Sequence, residues 1–152
     1  MTASLPIALL CASVVSAYPA SKPAERATAV CVSVAEAARR HGVPVELAVA
    51  LAYTESRFNP EVVSSAGAVG PLQILPWFHC PSKRRRGCDL VEYGVRAIVR
   101  HRTRYGGSRG APDWSRVLCH WSTGNKCIPI GESFARTVLR RAKEFRLLAG
   151  GR

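Results

Sequence analysis

Apolar residues recur along this chain at steps of three and four, the period of helices that bury one face. In the alanine-rich stretch from Ala24 to Arg40, Val30, Val34 and Ala38 share one side and predict a helix, which His41-Gly42 stops. Pro44 then sits where a helix's first turn tolerates proline, and Glu46 suits the positive end of the dipole. A second helix is predicted from about Val45 to Thr54. Its apolar run, Val43 through Tyr53, marks it as a core helix. A third runs from Asp89, a candidate cap, to His101 or Arg104, with Leu90, Val91, Gly94, Val95, Ile98 and Val99 as its apolar stripe. Asp113 can cap a fourth, in which Trp114, Val117, Leu118 and Trp121 recur before Gly124-Asn125 ends it. The last, about Glu132 to Leu147, turns Phe134, Val138, Leu139, Ala142 and Phe145 inward and its Arg and Lys residues outward. With no alternating strand pattern and no internal repeat, the fold class is all-α.

Residues 56 to 87 break this rhythm. They are rich in Gly, Ser and Pro, and so long an irregular stretch inside a small domain usually forms a site. Immediately before it the core helix delivers a carboxylate, Glu55, ahead of the breaker Asn59-Pro60. Apolar neighbours such as Leu51 and Ala52 would raise its pKa by desolvation and keep it protonated near neutral pH, as a general acid requires. A proton donor of this kind suits cleavage of a glycosidic bond, whose leaving oxygen must be protonated. The competing reading is a solvent-facing helix end. Ser56 follows and can bond to the backbone there or to a substrate.

At the N-terminus, residues 1–20 carry no charged side chain, and the apolar run Leu5 to Val15 is followed by Ser16-Ala17 and a proline. This resembles an export signal cleaved after Ala17 or Ala20, although no Lys or Arg precedes the run; the competing reading is a disordered or packed apolar N-terminus. Cys11 falls inside the segment and would be discarded with it. The run is too short for a membrane span. The chain then divides into a leader (1–20), a short tether (21–26), a helical domain (27–147) and a tail (148–152).

Export changes how the cysteines are read. Cys80 and Cys88 bracket a basic loop and Cys119 and Cys127 bracket a helix end, so both pairs are disulfide candidates, with Cys31 left over as a small buried hydrophobe or bonded elsewhere. Zinc competes, but His79, His101 and His120 complete no standard ligand spacing with these cysteines, so no metal is expected. The formal charge of +12 favours a polyanion as partner: nucleic acid, an anionic membrane or a cell-wall polymer. Its main clusters are Lys83 to Arg86, Arg96 to Arg104 and Arg140 to Arg146, any of which alone reads equally well as a solvated face.

The loop narrows the choice. Glu55-Ser56, Phe58, Asn59-Pro60, Ser64, Gly67-Ala68-Val69-Gly70 and Gln73 match, position by position, the pattern of the soluble lytic transglycosylase family, and on these residues the chain is identified as similar to that family. Departures lie elsewhere. Pro71-Leu72 replaces a Leu-Met pair, Leu90 opens its helix without the family's Asn, and His120-Trp121-Ser122-Thr123-Gly124 replaces Ala-Tyr-Asn-Ala-Gly. Trp121 keeps a flat face for a sugar but lacks the phenol oxygen that could bond near Glu55.

The resemblance implies a lysozyme-like helical fold with a long active-site loop, and cleavage of the bond between N-acetylmuramic acid and N-acetylglucosamine in peptidoglycan. Glu55 would serve as acid and then as base. Ser56, Ser64, Gly70, Gln73, Trp121 and Ser122 would bind substrate, with Gly67 and Gly70 letting the loop backbone approach the glycan. Product ends would be 1,6-anhydromuramoyl. No cofactor is implied, the partner would be peptidoglycan with other anionic wall polymers, and the location would be secreted or periplasmic. Three alternatives remain at this stage: a lysozyme-type hydrolase of the same bond, a catalytically weak wall-binding domain, and a basic nucleic-acid-binding protein. The last lacks a zinc-finger or Rossmann signature, and the leader speaks against it.

Overall fold

The computed structural model describes residues 6–150. Among them are seven helices and no strand: α1 (Ile7–Ala17), α2 (Ala24–Arg40), α3 (Val45–Ser56), α4 (Pro76–His79), α5 (Leu90–Tyr105), α6 (Trp114–Thr123) and α7 (Pro129–Leu148). The all-α class is therefore as the sequence predicts, and the predicted helices are present with shifted ends. The last helix begins earlier, at Pro129, because proline has no N–H to lose in a first turn.

The core gathers around α3. Leu47 through Tyr53 are all buried, with α2 and α7 both packed on this helix. The remaining helices extend the wall, with α6 against α7 and α5 bridging α2 and α6. Two predicted caps are in place: the Asp89 carboxylate accepts from the backbone N–H of Glu92 at 3.0 Å, and that of Asp113 from Arg116 at 3.1 Å.

Residues 56–87 contain short structure that no periodicity announced. Val69 bridges both Val63 and Ile74 in antiparallel fashion, folding the segment into a small hairpin-like knot. The four-residue helix α4 follows.

Two disulfides join the predicted pairs, Cys80–Cys88 and Cys119–Cys127. Cys31, expected to be left over, is bonded to Cys11. That expectation treated residues 1–20 as separate from the fold. In the full chain, however, α1 packs on α2 and α7 with Ile7, Leu10, Cys11 and Val14 buried. Tyr18, just beyond α1, meets Tyr53 and Phe145 edge to face and donates its hydroxyl to Glu144. Among the described residues no helix is long and apolar enough to cross a membrane.

Candidate active site

The site is built from the C-terminal end of α3. Thr54 and Ser56 donate their hydroxyls to the carbonyls of Ala50 and Ala52, at 2.7 and 2.9 Å, closing the last turn on either side of Glu55. The chain then reverses through two consecutive left-handed residues, Arg57 (φ 50°) and Phe58 (φ 60°). Such a conformation is costly for a bulky residue. Full burial of the Phe58 ring, beside Tyr53 at 5.6 Å, offsets it. Asn59 accepts from the N–H of Glu61, making the Asx turn that launches the loop.

The loop is held against α3 and braced within itself. The Ser56 hydroxyl also lies 2.8 Å from the carbonyl of Pro71. Ser64 accepts from the N–H of Ala68, and the Gln73 amide donates to the carbonyls of Val62 and Gly70, each at 3.0 Å. These contacts qualify the roles expected for several residues. Ser56 is buried with both contacts on backbone, so it serves as the pin between helix and loop. Both amide hydrogens of Gln73 are used inside the loop, which leaves its carbonyl oxygen for any ligand. Gly70, expected to make room for a glycan, makes room for α5: at φ 77° a Cβ there would lie 2.8 Å from Cδ1 of Leu90. Gly67 is covered by the Trp77 ring, 3.2 Å from where its Cβ would stand.

Glu55 is half-buried, and across from it Trp121 on α6 donates its indole N–H to Oε1 at 3.0 Å. The phenol oxygen missing from position 121 is thus replaced by a nitrogen donor that reaches the carboxylate, which sequence comparison did not anticipate. Burial pushes the Glu55 carboxyl up to about 7, against a smaller opposing effect of the Trp121 bond, which favours the ionised form. Because an indole N–H can only donate, it favours the carbonyl-type oxygen at Oε1, with the carboxyl's proton on Oε2. Ser122, next along α6, is exposed.

Trp121 has support that the sequence reading missed. His101 packs against its ring at 5.1 Å and donates Nδ1–H to the carbonyl of Ala97, while burial lowers its pKa and keeps it neutral. Beside it, Tyr105 stacks flat on His120, with centroids 3.8 Å apart. The spacing of His101 and Tyr105, one helical turn apart, was visible, but nothing in one sequence says which helix they face.

Five other acidic residues are committed elsewhere. Glu61 pairs with Lys22 at 2.8 Å and Arg26 at 3.7 Å, and the Lys22 bond holds its carboxyl below the usual range. Glu92 is held down to about 2 by hydrogen bonds from His41, then Arg40 and Arg96. Asp89 and Asp113 cap helices, and Glu144 accepts from Tyr18. Glu46 shares α3 but stands nine residues earlier, about 13 Å along the axis. A depression of about 410 Å³ lined by Val30, Pro60, Pro71, Leu90 and Val91 adjoins the loop, and its one carboxylate is the cap Asp89.

Removing the indole donor gives a directional test. In Trp121→Phe the Glu55 pKa should rise further, since a bond favouring the carboxylate is lost. The alkaline limb of the pH–rate profile, set by loss of the acid's proton, should therefore move to higher pH. A limb that stays put or moves down would show that the indole does not tune Glu55.

The transglycosylase SLT domain model matches residues 33–124, more than half of the chain and inclusive of Glu55, the whole loop and Trp121. No curated protein and no solved structure matches the chain.

Proposed function

Since this chain belongs to the transglycosylase SLT domain family, whose lysozyme-like helical domains are lytic transglycosylases of peptidoglycan outside the cytoplasm, we propose that it cleaves the glycan with Glu55 as its single acid and base. The observation that carries this reading is one half-buried carboxylate, its pKa raised by burial to about 7, whose hydrogen-bond partner among the described residues is the Trp121 indole and not a second carboxylate. A hydrolase of the usual two-carboxylate kind would want a partner on the far side of the sugar.

In the proposed reaction Oε2 of Glu55 gives its proton to the oxygen linking N-acetylmuramic acid to N-acetylglucosamine. The C1–O bond breaks, leaving positive charge on C1 and the ring oxygen of the muramoyl residue. The carboxylate now formed takes the proton of the muramoyl C6 hydroxyl as O6 closes onto C1. The product is a 1,6-anhydro sugar, no water is consumed, and Glu55 ends protonated as it began. Trp121 holds Oε1 throughout, so the exchange takes place on one oxygen, and a pKa near 7 suits a group that must both give and take a proton. Ser64, the Gln73 carbonyl and Ser122 are proposed to orient the sugar.

The test is mass spectrometry of the fragments released from purified peptidoglycan. Anhydromuramoyl ends are expected. Reducing muramoyl ends would replace this reading with a lysozyme-type hydrolase, and no release would leave a wall-binding domain.

Secretion or a periplasmic location is proposed with it, supported by the family's substrate and by the disulfides Cys80–Cys88 and Cys119–Cys127, which persist in oxidising compartments. The export signal over residues 1–20 is proposed to be removed. Cleavage after Ala17 would spare Tyr18 and the Pro19 carbonyl that accepts from Tyr53, whereas cleavage after Ala20 would delete both. Either cut removes Cys11 and leaves Cys31 a free thiol. Sequencing the exported protein should find Tyr18 or Ser21 first and one thiol per chain. A chain that still carries α1 and has no thiol would overturn the leader and make α1 a permanent part of the domain.

A further inference from the structure

Trp121 holds Glu55 through a single N–H, so the angle at which its ring stands decides the strength of the bond. A hydrogen bond weakens steeply once its angle at the hydrogen falls below about 120°. The tryptophan side chain turns about χ1 and χ2, and both must be fixed for the indole to stay on target.

The backbone beneath Trp121 is secured from several directions. Asp113 caps the first turn of α6, and the Cys119–Cys127 disulfide closes its far end. Inside that disulfide loop the Thr123 hydroxyl lies 2.9 Å from the carbonyl of Cys119 and 2.7 Å from that of Lys126, while His120 donates Nδ1–H to the Gly124 carbonyl at 2.6 Å. The Tyr105 ring, flat on His120, ties the same turn to α5. These contacts place the Cα of Trp121 and leave the orientation of its ring open.

His101 supplies the missing restraint. Its ring meets the indole with centroids 5.1 Å apart and planes tilted by 59°, the one aromatic contact of Trp121 among the described residues. The imidazole is itself tethered, because its Nδ1–H reaches back one turn of α5 to the Ala97 carbonyl at 2.9 Å. Burial lowers its pKa, and the neighbouring Arg100, His120 and Arg104 act in the same direction, so the ring that backs the indole is neutral.

We propose that His101 is a positioning residue for Glu55, acting through Trp121: the tethered imidazole sets the tilt at which the indole N–H meets Oε1. Its bearing on turnover rests on the reading of Glu55 as acid and base. An indole released from this backing spends part of its time away from Oε1. The carboxylate then loses part of a bond that favours it, and the Glu55 pKa rises, in the direction expected for loss of the indole itself.

The experiment titrates the full chain, carrying 13C in its glutamate carboxyls and 15N in its indoles, by NMR without glycan. In the wild type the Glu55 carboxyl and the Trp121 indole N–H, recognised by its absence from Trp121→Phe, should titrate together near pH 7. His101→Ala is expected to raise the Glu55 midpoint by about half a pH unit and to shrink the indole's response. His101→Asn keeps a donor for the Ala97 carbonyl but has no ring; it should give the same shift, and it decides the matter if the alanine variant does not fold. His101→Phe restores a flat face and should recover most of the wild-type midpoint. In the Trp121→Phe background His101→Ala should add no further shift, since residues acting through one contact are not additive.

An unmoved midpoint in the alanine and asparagine variants overturns the proposal, and a lower melting temperature beside it would leave His101 a packing residue only. A fall in the midpoint also overturns it and would make His101 a cover that keeps water from Glu55. So does an equal shift with and without the indole, which would mean direct action on the carboxyl. Product release is scored in parallel. Anhydromuramoyl product with an unmoved midpoint removes the role of His101 alone, whereas a coupled titration with no product removes the enzymatic reading and leaves the positioning contact standing.

Discussion

Glu55→Gln is expected to lower anhydromuramoyl release by about a thousandfold, within the range that a positioned acid and base contributes, while raising thermal stability at alkaline pH. The amide keeps the shape of the side chain, and its oxygen can still accept from the Trp121 indole, but it has no proton to give. The stability gain follows from the raised pKa. Below about pH 4.5 the carboxyl is protonated in folded and unfolded chains alike and contributes no difference. As pH climbs from there to about 7 the unfolded chain releases the proton while the folded one retains it, so stability falls across that window and stays lower above it. The full shift corresponds to about 3 kcal/mol, reduced to about 2 by the water that still reaches a half-buried group. Glutamine does not titrate and escapes this cost. Its melting temperature should exceed that of the wild type by roughly 5 °C at pH 8 and match it at pH 4. A Gln variant that cleaves at the wild-type rate would remove Glu55 from the chemistry, and a melting difference independent of pH would remove the desolvated carboxyl.

Phe58→Ala should produce the largest loss of stability among substitutions near the site, about 3 to 5 kcal/mol, or roughly 10 °C in melting temperature. The ring is wholly buried against Tyr53, and Tyr53 in turn packs on Phe145 and Tyr18, so the cavity would open where α3, α7 and the N-terminal segment meet. Alanine does not relieve the left-handed backbone at this position; it removes the burial that compensates for it. Turnover should fall with stability, since the turn through Arg57 and Phe58 sets the direction in which the loop leaves Glu55. Phe58→Leu, which fills most of the space, should lose much less. Thermal melts of the three proteins decide the matter, and an alanine variant melting with the wild type would mean that the ring is not what holds this turn.

Both expectations draw on residues that stand out in the sequence, but in different ways. Glu55 is conspicuous there because an apolar helix ends on it and a breaker follows. Its chemical state is not. The pKa near 7 comes from burial in the folded chain, against the lowering effect of a hydrogen bond from Trp121, 66 residues away. Phe58 is a family landmark in sequence, yet its positive φ and complete burial belong to the fold. The acids that compete with Glu55 follow the same division. Asp89 and Asp113 are recognisable as caps from their neighbours alone, whereas Glu61 and Glu92 are withdrawn from the site by Lys22, Arg26, Arg40, His41 and Arg96.

Read without coordinates, the chain determines its five longer helices after residue 20, their caps and breaks, and the family pattern around Glu55, and it offers the two short cysteine pairs as candidates, because dihedral preference, capping and apolar periodicity act between residues close in sequence. Tertiary structure alone decided that Cys31 meets Cys11, that an indole at position 121 takes hold of the carboxylate, that Gly70 yields its space to Leu90, and that Trp77 and Phe78 are left in water. Each of these is a contact or an exposure set by helices packing across long stretches of chain. Periodicity in one segment records which face is apolar, and only the packed molecule assigns that face a partner.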